Sequence, residues 1–213
     1  MQTRFTKLLV IACASATFSL AHNKGPELGK MAPDFKKNDI EGKEVSISDN
    51  KGKVIVLSWF SKDCPFDKKH HQGADGTMKG GNMQKLQEYA AEKGVVWISI
   101  LSSAPGKSGY ETDKTIRKVI EDHGVKATHI ILDPDGKIGK TYQAKTTPHM
   151  FIIKKDGTIG YMGAIDSIKS TKYEDVEKAE PYFKNALEGI VEGKDFKPKQ
   201  TVPYGCSVKY ASD

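Results

Sequence analysis

The segment that most constrains this chain runs from Val54 to His71, written Val-Ile-Val-Leu-Ser-Trp-Phe, Ser-Lys-Asp, then Cys64-Pro-Phe-Asp-Lys-Lys-His-His. An apolar run rich in β-branched and aromatic residues, closed by a polar turn, predicts a buried strand. A cysteine then stands where a helix should begin. A thiol at a helix N-terminus lies in the positive end of the helix dipole, which favours thiolate over thiol. Lys62, Lys68, Lys69, His70 and His71 surround this position, with Asp63 and Asp67 opposing them. The pattern is that of a reactive cysteine and points to redox chemistry.

The N-terminus sets the compartment. Arg4 and Lys7 precede the apolar run Leu8 to Leu20, and Ser19-Leu20-Ala21 supplies small residues at a cleavage site. Residues 1–21 therefore match a secretory signal peptide, with a periplasmic or secreted product. Val10-Ile11-Ala12-Cys13 offers a second reading, a lipoprotein anchored at Cys13, but the apolar stretch before Cys13 is short and continues past it. Cleavage after Ala21 takes Arg4 and Lys7 from 33 basic residues and none from 27 acidic ones, so the net charge falls from +6 to +4. That mild, dispersed charge carries no run of Lys or Arg interleaved with aromatics, and nucleic acid is not an expected partner. A charged fraction of 28% argues against a membrane-spanning body once the signal is gone. Of three cysteines, Cys64 and Cys206 remain, and an exported protein permits them to pair. A cycling disulfide, a static one and two separate thiols are all compatible with that.

Residues 22–191 form one domain of ordinary size, and residues 192–213, rich in Pro and Lys and carrying Cys206, form an aperiodic tail. Glu44–Ser48 alternates like a half-exposed strand, and Lys53–Phe60 is the central strand. A helix runs from Cys64 to His71 until glycines 73, 76, 80 and 81 interrupt it. Asn82 is placed to cap a second helix whose Met83, Leu86 and Ala90 share a face, stopped by Gly94. Val95–Leu101 and Thr128–Leu132 are further strands, separated by a helix Lys114–His123 that Thr112 or Asp113 caps. Asp133–Gly136 is a turn and Lys137–Gln143 a short helix. His149–Ile153 and Thr158–Met162 form a hairpin around Asp156-Gly157. Tyr173–Val191 reads as one long amphipathic helix. The order predicts an α/β fold, with a mixed central sheet, parallel first and antiparallel later, flanked by helices.

Four spaced motifs carry a family resemblance over roughly residues 29–190. They are Gly29-Lys-Met-Ala-Pro-Asp-Phe35, the strand leading to Cys64-Pro65, Thr146-Thr-Pro-His149 before a strand, and the Asp156-Gly157 hairpin followed by Gly163 and Asp166. Together they resemble the thioredoxin-fold redoxins, and within them the exported peroxiredoxin-like (AhpC/TSA-type) branch. The tail Tyr204-Gly-Cys-Ser-Val-Lys-Tyr210 fits the same group. The resemblance implies a thioredoxin-like fold, no organic cofactor, and a thiol-dependent oxidoreductase. Its substrate is a peroxide, in an antioxidant role, or a protein disulfide or thiol, with an external thiol reductant as a further partner. It also implies that Pro148 is a cis-proline facing Cys64, and that His149 faces Cys64 too.

The departures are informative. Asp67 occupies the place of the second thioredoxin cysteine, so no disulfide can close within the motif. Ser61 meets the peroxiredoxin requirement for Ser or Thr three residues before the cysteine. Leu57 stands where that family has proline, and Arg117, in a helix pattern, is no evident match for its activating arginine. The expected site is therefore Cys64 as nucleophile, Cys206 as resolving partner, and Pro148, Ser61 and His149 around them, with no resident metal. The alternative from another class is a copper-binding or copper-delivery module that uses Cys64 with His70, His71 or His149, with Met78 and Met83 nearby.

Overall fold

The computed structural model describes residues 25–211. The signal peptide, Cys13 and the boundary at residue 21 lie outside the described residues. In chain order the elements are β1 (Lys36–Asn38), β2 (Glu44–Ser46), β3 (Ile55–Trp59), α1 (Pro65–His71), α2 (Asn82–Glu92), β4 (Val96–Leu101) and α3 (Asp113–Asp122). Then come β5 (His129–Leu132), α4 (Lys137–Thr141), β6 (Thr146–Thr147), β7 (His149–Ile153), β8 (Ile159–Gly163), α5 (Tyr182–Glu192) and β9 (Cys206–Ser207). Among the described residues no helix is long and apolar enough to cross a membrane.

The central sheet has the order β5-β4-β3-β7-β8. β4 lies parallel to both β3 and β5, while β7 runs antiparallel to β3 and β8 antiparallel to β7. The predicted mixed sheet is thus observed. Side chains alternate between its faces, as the two-residue strand period requires. Val56, Trp97, Met150, Ile152 and Tyr161 pack beneath Met83, Leu86 and Ala90 of α2 and Phe183, Ala186 and Leu187 of α5. Leu57, Trp59, Ile98, Ile100 and Phe151 point the other way, toward Ile138 of α4, Tyr142 and Val45. A third cluster joins Phe60, Leu101 and Ile130 to Ile116 and Val119 of α3.

Thr112 caps α3 through a reciprocal box: Thr115 N–H donates to Thr112 Oγ1 at 3.3 Å and Thr112 N–H to Thr115 Oγ1 at 2.9 Å. Two local expectations are corrected. Asn82 is the first residue of α2 rather than its cap, and its amide turns to His70 Nδ1 at 3.1 Å. The long helix 173–191 is split: Tyr173–Asp175 is a single 3-10 turn, and α5 starts only after Pro181. Proline lacks the N–H that a continuous helix needs at that position and crowds the preceding turn.

The tail is no loose arm. Met162 N–H donates to Lys199 O and Thr201 N–H to Met162 O, which holds the tail along β8. Thr201 Oγ1 accepts from Ala164 N–H at 2.8 Å. Further on, β9 pairs antiparallel with β6, setting Cys206 opposite Thr147. Val208 N–H then donates to Lys145 O, and Ala104 N–H to Lys209 O.

Candidate active site

β3 ends at Trp59, and a short turn delivers Cys64 to the N-cap of α1, with Pro65 in the first helical turn. The turn is closed by Cys64 N–H donating to Ser61 O at 3.1 Å, and the helix opens with Lys68 N–H donating to Cys64 O at 2.9 Å. The Cys64 thiol donates to the backbone oxygen of Thr147 at 2.9 Å and is 2% exposed. The Thr147–Pro148 peptide bond is cis, as the resemblance implied. The site is therefore the meeting of two loops, one after β3 and one before β7, strands that are neighbours in the sheet.

Cys206 is the third party. Neither cysteine is in a disulfide; Cys64 is buried and Cys206 half-buried. β9 sets Cys206 opposite Thr147, whose backbone oxygen the Cys64 thiol meets, and the Cys206 thiol is pushed up to about 12, by burial first and then by its neighbour Cys64. It holds its proton at neutral pH. The close approach depends on Gly205, whose φ is 141°; a Cβ there would lie 2.0 Å from Thr147 O. Only glycine lets the tail press so closely against the loop before Pro148.

Asp67, in the place of a second motif cysteine, is fully buried. Its Oδ2 accepts Ser61 N–H at 2.9 Å, while Oδ1 neighbours the Thr147 hydroxyl without a hydrogen bond of normal geometry. Burial raises this carboxyl well above the usual carboxylate range, against the lowering effect of its hydrogen bonds. A motif position read as the loss of a thiol instead supplies a buried carboxyl that ties the turn before Cys64 back to Ser61.

Three expected contributions are corrected. Ser61 takes part through its backbone, which serves Cys64 and Asp67, while its hydroxyl is turned toward Gly109. His149 does not face Cys64. Its ring packs on Trp59 and Phe151 on the opposite side of the sheet, centroids 6.4 and 4.5 Å away, and lines a cavity of about 180 Å³ with Tyr142 and Lys145. Burial, then the charge of Lys145, pushes it down to about 3. The strand period explains the direction, because His149 shares the β7 face of Phe151 and Ile153.

Nor do the basic side chains converge on the thiol. Lys62 pairs with Asp63 at 3.0 Å and Glu111 at 3.3 Å, and Lys68 is exposed. Lys69 is buried against Asp166 at 3.1 Å. His70 accepts from Asn82, and its Nε2 lies 3.5 Å from Asp166 Oδ2. His71 packs between Phe60 and His123, pushed down to about 4 by burial and then by the charge of His123. Among the described residues no group of three or more His, Cys, Asp or Glu is arranged to hold a metal ion. Arg117 pairs with Glu41 at 2.7 Å and with Ile40 O.

The cis bond at Pro148 was expected to turn the Thr147–His149 backbone toward Cys64, and it is Thr147 O that meets the thiol; sequence reasoning missed the cluster Lys69–Asp166–Tyr204. Asp166 and Tyr204 stood in quoted motifs, but nothing local links them to each other or to Lys69.

A cysteine leading the helix after the central strand, opposite a cis-proline loop across a mixed sheet, is the arrangement of thioredoxin-like proteins. The fold is similar to that in the crystal structure of an uncharacterized conserved protein from Geobacillus kaustophilus, with TM-score 0.69 and 25% identity over 88% of this chain and 94% of that one. A putative thiol:disulfide interchange protein DsbE from Chlorobium tepidum shares the fold at TM-score 0.53 and 21% identity, over 79% and 98% of the two chains. Within this class the chain belongs to the AhpC/TSA family, whose model matches residues 28–162. It is also similar to the thiol-disulfide oxidoreductase ResA of Bacillus thuringiensis, 29% identical over 183 residues, 83% of this chain and 91% of that protein.

Proposed function

We propose that this protein is an exported thiol–disulfide oxidoreductase whose redox pair is Cys64 and Cys206. The observation that carries this reading is that the tail sets Cys206 opposite Thr147, the residue whose backbone oxygen the Cys64 thiol meets, and both are free thiols. The similarity to a thiol-disulfide oxidoreductase supports it. The signal-like residues 1–21 support the compartment.

In the reducing direction the Cys64 thiolate attacks one sulfur of a partner disulfide. A Cys64–partner mixed disulfide forms, and the first partner sulfur leaves as a thiolate and takes a proton. Cys206 then loses its proton and attacks the Cys64 sulfur. The Cys64–Cys206 disulfide forms, and the second partner sulfur leaves and is protonated. Two thiols are oxidised, one disulfide is reduced, and two protons pass to the partner. An external thiol restores the pair by the same steps reversed. The Cys206 proton passes to the departing partner thiolate as the second disulfide exchange proceeds.

Oxidised glutathione tests the assignment. The wild type should lose both thiols and yield one Cys64–Cys206 cross-linked peptide, whereas Cys206→Ser should accumulate glutathione on Cys64. Separate glutathione adducts on both cysteines, with no cross-link, overturn the pair. A wild type inert to the disulfide, which turns over hydrogen peroxide while Cys206 stays free, assigns peroxide chemistry instead. Stoichiometric copper on purified protein, lost in Cys64→Ala, assigns the copper-binding role.

A further inference from the structure

The proposed pair lacks the short motif that normally keeps two cysteines together, so something else must hold Cys206 in place. Tyr204 precedes it by two residues and is 8% exposed. The Tyr204 hydroxyl donates to Asp166 Oδ1 and accepts from Lys69 Nζ at 3.2 Å. Lys69 Nζ also donates to Asp166 Oδ2 at 3.1 Å and to Ile168 O at 3.0 Å. The Tyr204 ring meets Phe66 edge to face, with centroids 5.8 Å apart. Phe66 and Lys69 both sit on α1, the helix that Cys64 opens. One helix thus presents a thiol at its start and, a turn later, a receptor for the residue that leads to the second thiol.

A lysine ammonium with no exposed side-chain surface is a poor choice for stability alone, because a packed apolar residue there is often as stabilising. What the ionic cluster adds is direction. Its donors and acceptors admit a phenol hydroxyl in one place, and Gly205, pressed on Thr147 O, leaves no slack between that hydroxyl and Cys206.

We propose that Tyr204, seated in the Lys69–Asp166 cluster, is a positioning residue that presents Cys206 to Cys64 and closes the tail over it. This rests on the redox pair proposed above and names what aligns that pair. A flexible tether between two groups gives an effective concentration in the millimolar range, and a preorganised one gives far more. The same closure accounts for the 2% exposure of Cys64. Loosening it should therefore move two readouts in opposite directions.

The experiment equilibrates the full-length protein with glutathione redox buffers to obtain the effective concentration of the Cys64–Cys206 disulfide. The rate of Cys64 alkylation by iodoacetamide is measured in the reduced protein. Tyr204→Phe keeps the ring on Phe66 and removes only the hydroxyl. It should lower the effective concentration about tenfold and raise the alkylation rate several-fold. Lys69→Met should do the same, and the double variant should be no worse than either alone, since one device is lost once. Ile138→Val, in the core on the opposite face of the sheet, should lower thermal stability without changing either readout. An effective concentration unchanged in Tyr204→Phe, or one that moves as much in Ile138→Val, overturns the positioning role while leaving the redox pair intact. A wild type that forms no Cys64–Cys206 disulfide at any glutathione ratio overturns the pair and the positioning role together.

Discussion

Cys64 and Cys206 arrive at one point by opposite routes. Cys64 is set by its own neighbourhood: Ser61 O takes its N–H, its carbonyl takes the Lys68 N–H, and Asp67 ties the turn back to Ser61. Cys206 is set by segments remote in the chain, through Thr147 on β6, Lys145 before it, Met162 on β8 and the α1–Asp166 cluster. A locally specified thiol survives if distant parts loosen. A thiol specified by many distant contacts depends on all of them and can be released without unfolding the rest. Opening of the pair should therefore begin in the tail.

The sharpest way to break this comparison is to remove the tail. A chain ending at Lys199 loses Tyr204, the Thr201 contacts and the cover over Cys64. The expected cost is about 4 kcal/mol or more, in the range seen for deleting a large buried aromatic. Urea denaturation measures it. A truncated protein with the wild-type midpoint and a still-buried Cys64 would show the tail to be a dispensable arm. Next in size comes Gly205→Ala. A side chain 2.0 Å from Thr147 O, at φ 141°, forces the strand pairing apart, at about 2–3 kcal/mol. Its denaturation midpoint should fall while the far-ultraviolet signal of the central sheet stays. An unchanged midpoint, with β9 still protected from hydrogen exchange, would mean that the close approach is not needed.

The same contrast decides what could be read in advance. The βαβ order, the mixed sheet, the start of α1 at Cys64, the α3 cap within the pair Thr112–Asp113 and the β7–β8 hairpin all follow from local pattern: an apolar run, a capping residue, an Asp-Gly turn. The family motifs carried the cis peptide at Pro148. Direction and distance were not legible. His149 was expected at the thiol because it adjoins Pro148, yet the strand period turns it to the other face. The basic residues around Cys64 read as a positive cage, but helical geometry spreads Lys68 to solvent and Lys69 into the core. The tail was opaque for the same reason. Residues that pair with β6 in a strand only two residues long, and with β8 through one isolated bridge at Gln200, show no periodicity of their own.

A smaller effect separates the two halves of the site by pH. Asp67 is raised by burial, so its folded value lies above its unfolded one. The stability linked to its proton is complete below about pH 4 and is lost as pH rises toward the folded value. Asn keeps an oxygen for Ser61 N–H and has no proton to lose. The stability of Asp67→Asn relative to wild type should therefore grow between pH 4 and neutrality, by up to about 1.4 kcal/mol per pH unit until Asp67 ionises. Buried His71 and His149 slope the other way, losing stability as pH falls below about 6.5, but they are common to both proteins and cancel in the difference. Urea midpoints at each pH unit give the curve. A flat difference would place Asp67 as an ordinary carboxylate in the folded protein.

The smallest expected effect tests the feature that looked most telling in the sequence. If the basic cluster made Cys64 reactive, Lys68, one helical turn away, should matter. In the structure it is exposed, while Cys64 is screened by the Thr147 loop and the tail. An exposed charge acts on a buried thiol through water-rich surroundings, with a screening length of about 10 Å at 0.1 M salt. Lys68→Ala should change stability by no more than about 0.5 kcal/mol and Cys64 alkylation by less than about twofold, equally at low and high salt. Tyr204→Phe, which removes no charge, should move that alkylation rate further. A large drop for Lys68→Ala that salt erases would return control of Cys64 to the charges of its own helix, and the asymmetry between the two cysteines would then lie in electrostatics rather than in how each is held.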